Sequence, residues 1–92
     1  MFIITIEGRE EEGAYSVTDD NGDQILYMFE EKDDATRFAL MLEDMEYPEM
    51  SVMEVDGQLL IKACQQQDYK YAVFTPNDIV IPPVEFDQND FI

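Results

Sequence analysis

Between residues 25 and 45 the apolar side chains change their period. Ile25-Leu26-Tyr27-Met28-Phe29 is an unbroken apolar run of strand length, whereas Ala35, Phe38, Ala39, Leu42 and Met45 recur at three and four, the spacing of one helical face. A strand that feeds an amphipathic helix commits the chain to a layered fold, because each element has an apolar face to bury against another. Asp33 or Asp34 stands at the N-terminal end of the helix, where a carboxylate suits both cap and dipole, and Asp33 can pair with Arg37 at i,i+4. Tyr47-Pro48 ends the helix, since the residue before proline is pushed out of the α region. Leu40 falls away from the apolar stripe, at the edge of the interface or in solvent.

The flanking segments read mostly as strands. Phe2 to Ile6 is β-branched and apolar, a strand buried on both faces, and Arg9 to Gly13 is a solvated loop. Ala14 to Val17 alternates, and Asn21-Gly22 between it and Ile25 favours a type I′ hairpin turn, in which both central residues take positive φ. Ser51 to Val55 alternates as well. Asp56-Gly57 can then turn a hairpin into Leu59-Leu60-Ile61, or Asp56 can cap a helix running to Gln67; the good helix formers of 62–67 favour the helix, with Leu59, Leu60, Ala63 and Cys64 on one face. Tyr69 to Thr75 is strand-like, Tyr71 and Val73 on one face and Ala72 and Phe74 on the other. Beyond Pro76 come an extended Ile79 to Pro83 and a polar, acidic end, giving a single domain over 1–76 and a tail over 77–92 that is mobile at its end.

With 92 residues, 22 acids against five bases and no histidine, the net charge is −17. Eighteen of the acids precede residue 77, so the acidity belongs to the domain and is not an appended tail. Arg9, Lys32, Arg37, Lys62 and Lys70 are scattered singly, which excludes the basic face of a conventional nucleic-acid reader, and an anionic membrane would repel the chain. No apolar run reaches spanning length and the N-terminus lacks a signal-peptide pattern, so a cytoplasmic location is expected. The lone Cys64 reads as a small core residue.

Candidate sites are few. Asp19, Asn21, Asp23 and Glu30 match positions one, three, five and twelve of a calcium loop, but position six is Gln24 instead of glycine and the flanks are strands, so these are weak metal candidates beside a plain polar turn. The paired carboxylates all sit in solvated segments, and Ser16, Ser51 and Cys64 have no histidine to activate them; no catalytic residue and no cofactor is expected. Methionines 28, 41, 45, 50 and 53 gather near the first helix, where thioethers serve either core filling or an adaptable interface. Leu40 and Met41 on the helix, with Phe86 and Phe91 in the tail, are the candidate partner contacts.

The stretch from Leu26 to Glu43, with Met28-Phe29-Glu30 leading into Asp33-Asp34-Ala35-Thr36-Arg37-Phe38-Ala39 and a leucine-rich helix, resembles the domain-of-unknown-function 3110 family of small cyanobacterial and plastid proteins. The likeness extends over residues 1 to 75. It implies a photosynthetic setting, a cyanobacterium or its phage, and a helix after Asp56; it carries no catalytic residues. The expected fold is α+β, a two-layer sandwich of a mainly antiparallel or mixed sheet of four to five strands with two helices on one face, ferredoxin-like in one arrangement. The expected function is an acidic, non-enzymatic protein-binding or regulatory domain acting on another, basic protein, with no nucleic acid or membrane as partner. The alternative is a small-ligand or divalent-cation domain using the 19–30 hairpin or a helix–sheet crevice. The sequence sets no oligomeric state.

Overall fold

The computed structural model describes residues 1–78; the candidate contacts Phe86 and Phe91 lie outside the described residues. In chain order come β1 (Phe2–Ile6), a 3-10 turn (Glu10–Glu12), β2 (Ser16–Thr18), β3 (Gln24–Phe29), α1 (Lys32–Asp44), β4 (Met50–Glu54), α2 (Gly57–Gln66) and β5 (Lys70–Phe74). The fold is α+β, and its strands form one mixed, five-stranded sheet. β1 pairs antiparallel with β4 along its whole length, from Phe2↔Glu54 to Ile6↔Met50. β3 pairs parallel with β5 over Ile25↔Lys70 to Phe29↔Phe74, antiparallel with β2 over Ser16↔Leu26 to Thr18↔Gln24, and with β1 at Phe2↔Phe29. Since β5 occupies one full edge of β3, β1 and β2 share the other, and Ala14, ahead of β2, bridges to Thr5 of β1.

Both β3 and β4 run antiparallel to β1 and therefore parallel to each other, so α1 is a crossover between parallel strands. α2 is a second one, carrying the chain back across the sheet from β4 to β5. Two crossovers that traverse a sheet in opposite directions share one hand only when they lie on opposite faces, and such connections are right-handed almost without exception. The expectation of both helices on one face is corrected accordingly. α1 covers the face carrying Ile4, Tyr15, Phe29 and Met50, while α2 covers the reverse face with Ile3, Ala14, Leu26 and Met28. Alternation along β1 and β3 divides neighbouring residues between the two cores, so β1 is indeed buried on both sides.

The larger core is aromatic. The Phe38 ring lies 5.5 Å from Tyr15, 5.7 Å from Tyr27 and 5.5 Å from Phe29, in tilted or edge-on arrangements that suit ring quadrupoles. Ala35, Phe38, Ala39 and Leu42 are the buried residues of α1, as their period requires, and together with the sheet they build the main two-layer sandwich. Met28 and Met50 fill core space, and Met41 and Met45 pack against it half-buried.

Local details differ from expectation in four places. The 19–22 turn is not type I′. Gly22 N–H donates to the Asp19 carbonyl, Asp19 N–H donates to the Asp23 carbonyl, and only Gly22, at φ 85°, is left-handed while Asn21 is not. A type I turn closed by a left-handed glycine fits because the Asp19 carboxylate also accepts from the N–H groups of Asn21 and Asp23, which favours the αR form. α1 starts one residue earlier than Asp33, and its N-cap Glu31 makes no side-chain cap bond. Arg37 pairs with Asp34 at 3.2 Å instead of Asp33, since Asp34 lies on the same helix flank one turn back. Finally, α1 ends at Asp44, ahead of Tyr47-Pro48, through the hydrogen bonds of its own C-terminus: Glu46 N–H donates to the Glu43 carbonyl and Tyr47 N–H to Leu42.

The open choice after Asp56 resolves as a helix. The Asp56 carboxylate accepts from the N–H groups of Gln58 and Leu59, which caps α2. Gly57 fits closely at its first turn: a Cβ there would stand 3.1 Å from the Cβ of Met1, whose carbonyl accepts from Val55 N–H, so the Met1 side chain would have to shift by a few tenths of an ångström. The inward face is rotated from the expected one. Leu60, Ile61 and Cys64 turn to the sheet, Ala63 stands exposed at the border of the groove between α2 and the sheet, and Leu59 turns out.

Candidate functional site

The calcium-loop residues do not converge. Asp19 and Asp23 stand together in the β2–β3 turn, but the ammonium of Lys70 sits between them, 2.9 Å from Asp19 Oδ2 and 3.1 Å from Asp23 Oδ2. That contact holds the Asp19 carboxyl below its usual range and raises the Lys70 ammonium. Glu30 lies past the far end of β3, a strand of six residues and so roughly 20 Å long. Among the described residues no group of three or more ligating side chains could hold a metal ion.

The paired-carboxylate idea survives in one place. Glu7 on the end of β1 faces Glu49 ahead of β4, and their repulsion, with smaller contributions from Glu10 and Glu43, pushes the Glu7 carboxyl up. Glu7, Glu10 and Glu49 are all exposed, and a solvated acid cluster is what remains. Of the three nucleophile candidates, Ser51 is half-buried on β4 and the other two are withdrawn from solvent. Ser16 is buried and accepts from Gln24 Nε2, and burial raises the Cys64 thiol, which disfavours the thiolate.

Of the candidate partner contacts, Leu40 is 55% exposed on the outer side of α1. Met41 instead lines a cleft of about 30 Å³ between α1 and the end of β5, floored by Phe29, Phe38 and Phe74 and rimmed by Asp34, Arg37 and Asp78. Such a cleft has room for about one water. Leu40 and Met41 therefore do not share a surface.

A different side of the molecule gathers exposed apolar groups. Leu59 is 65% exposed, and Tyr69, Tyr71, Val73 and Met53 are each 37% exposed; all lie on α2, on the link that follows it, or on the sheet face that α2 partly covers. Between α2 and the sheet runs a largely apolar groove of about 180 Å³, lined by Ala14 and Leu26 of the sheet side, Leu60, Ala63 and Cys64 of α2, and Gln67 and Tyr69 after it. The short α2 leaves it open, because a helix of ten residues spans about 15 Å and cannot roof all the strands beneath. The charge is segregated in the same way. Residues 57–77 contain one acid, Asp68, and two bases, Lys62 and Lys70, a net +1, whereas residues 1–56 hold 17 acids and three bases. This acid-poor stretch was visible in the sequence. Its meaning was not, since only the fold brings α2 and β5 onto one side.

The architecture and this groove define a small α+β domain with an acidic body and one neutral, apolar side. The family model described as domain of unknown function (DUF3110) matches residues 1–84, and the chain belongs to that family. No curated protein and no solved structure matches the chain. No helix among the described residues is long and apolar enough to cross a membrane.

Proposed function

We propose that the chain is a non-catalytic protein-binding domain whose docking surface is the groove between α2 and the sheet together with the exposed Leu59, Tyr69, Tyr71 and Val73 near it. One observation carries this reading: of the six exposed large apolar side chains among the described residues, four, Leu59, Tyr69, Tyr71 and Val73, fall in residues 57–77, where the chain has a single acid. Apolar surface of this kind, rimmed by charge, is the usual mark of an interaction site. The occupant is a protein segment that sets apolar side chains in the groove and lysine or arginine against the surrounding acidic body, so that the interface core supplies affinity and the rim supplies steering. The expected setting, from the family resemblance, is the cytoplasm of a cyanobacterium or its phage.

A photo-crosslinking residue tests the surface directly. Placed at position 59 it should capture one discrete partner from a photosynthetic lysate, at low and high salt alike; placed at Leu40, on the opposite side, it should not. Equal capture from both positions, or capture at 59 that salt abolishes, would reject the groove as the contact and return the role to the acidic body. The second reading, a small apolar ligand, is favoured by the same groove. It predicts a thermal shift with an apolar metabolite panel, about 2.7 kcal/mol of stabilisation at 100 times the dissociation constant.

A further inference from the structure

Two edge strands of the sheet, β4 and β5, are protected very differently among the described residues. β4 forms one edge. Glu7 N–H donates to the Glu49 carbonyl and Val55 N–H to Met1, so the residues of β4 that face β1 are Ser51 and Met53, and Met50, Val52 and Glu54 turn their backbone outward. That edge is guarded: the Glu43 carboxylate accepts from Met50 N–H at 3.0 Å, Glu49 precedes the strand and Glu54 ends it. Charges on an edge strand are a standard defence against pairing with another chain.

β5 forms the other edge, and among the described residues it pairs with β3 alone. The Phe74 carbonyl accepts from Glu30 N–H, so Lys70, Ala72 and Phe74 direct their backbone to β3 while Tyr71 and Val73 direct theirs away. The side chains of these two residues are also the exposed ones, on the face that α2 leaves uncovered. No acid lies between Asp68 and Asp78, and the one charge on the strand, Lys70, is already held by Asp19 and Asp23. An edge that is β-branched and aromatic, with outward backbone groups and no carboxylate, lacks the protection given to β4.

We propose that two copies of this chain pair antiparallel through β5, about a two-fold axis at Ala72, and so join their sheets into one. The register follows from which residues point outward. Tyr71 of one copy lies opposite Val73 of the other as a hydrogen-bonded pair, twice by symmetry, and the two Ala72 residues meet on the axis at the closer non-bonded spacing, where a methyl side chain fits. Tyr71 and Val73 then form aromatic and β-branched cross-strand pairs on the face beside α2. Charge selects the same contact: at −17 per chain two copies repel over most of their surface, and the acid-poor 57–77 side is where they can approach. The proposal shares that side with the groove reading but needs no partner protein, so its failure leaves the groove untouched.

Sedimentation equilibrium of the purified full chain tests it. A reversible dimer is expected, tighter at about 1 M NaCl than at low salt because screening removes the repulsion of the acidic bodies. Val73→Pro deletes one outward N–H per copy without touching the β3 ladder, and should weaken the dimer about 30-fold through two lost hydrogen bonds. Tyr71→Glu, which adds a carboxylate to the unguarded edge, should weaken it as well, more at low salt than at high; it keeps the test decisive if the proline variant folds poorly. Amide exchange at Tyr71 and Val73 should slow as concentration rises. A single species of monomer mass up to about 1 mM, or a dimer that neither substitution weakens, would overturn the proposal.

Discussion

Lys70 shows at the scale of one residue how distant segments are tied together. Its ammonium joins the start of β5 to the β2–β3 turn, 51 residues away in sequence, and the same Asp19 that receives it also closes the turn through Asn21 and Asp23. Lys70→Met should therefore loosen the turn and the neighbouring strand, seen as faster amide exchange at Asn21 and Asp23 and a lower melting temperature at neutral pH. The pH dependence has a definite sign. Asp19 is held below its usual range, so its contribution is present above the ordinary aspartate pKa and is lost as pH falls through the lower folded value; Lys70 is raised, so its contribution is present below the ordinary lysine pKa and is lost as pH rises through the higher folded value. Wild type and variant should converge in melting temperature at both extremes, and a difference constant across pH would show that the contact is not electrostatic. None of this was legible in the sequence. Asp19 and Asp23 looked like ligand positions because spacing reports oxygens but not the cation, and a lysine so far along the chain leaves no local trace.

At the scale of elements, both helices end in the same way. After α1, Glu46 takes φ 71° and Tyr47 N–H returns to the Leu42 carbonyl at 3.2 Å; after α2, Asp68 takes φ 59° and Tyr69 N–H returns to Cys64 at 2.9 Å. In each, a left-handed residue is followed by an aromatic one that folds back on the last turn, the Schellman arrangement with its apolar contact. Glycine is the residue this conformation favours, and here a carboxylic acid stands in its place, beside the negative end of the helix dipole. Glu46→Gly and Asp68→Gly should each stabilise the fold by about 1 kcal/mol, a rise in melting temperature of about 4–8 °C for a domain of this size. A fall would mean that the acids make contacts worth more than the strain. The helices themselves were readable, because Ala35, Phe38, Ala39 and Leu42 keep the period of a buried stripe and Asp56 caps α2 as its type foretells. Their placement was not. Periodicity tells which side of an element is apolar, and only the strand order, with β1 lying between β3 and β4, determines that α1 and α2 cross on opposite faces.

The whole molecule sets a charge of −17 against a sheet with two cores, and the distribution of that charge matters more than its total. The acids crowd the loops of residues 1–56 and leave the α2–β5 side nearly neutral, so repulsion acts mainly within the body of each chain. Screening should relieve it: the Debye length falls from about 30 Å at 0.01 M to about 3 Å at 1 M salt, and the melting temperature should rise over that range, as chloride salts replace charge separation with counterions. Glu7 allows the same repulsion to be read at one position. Glu49 raises its carboxyl pKa, so the folded state binds this proton more tightly than the unfolded one and stability falls as pH rises through that window. The penalty is then complete above the raised folded value and absent below the ordinary glutamate pKa. Glu7→Gln, which keeps the shape and removes the charge, should melt higher than wild type at pH 7 in low salt. The gap should close on acidification to about pH 4, where wild type carries the proton itself, and should shrink at pH 7 as salt is added. A gap that ignores both pH and salt would place the effect of Glu7 in its hydrogen bonding, and the acidic body would then be electrostatically slack enough to accept further carboxylates on β1 and β4 without loss of stability.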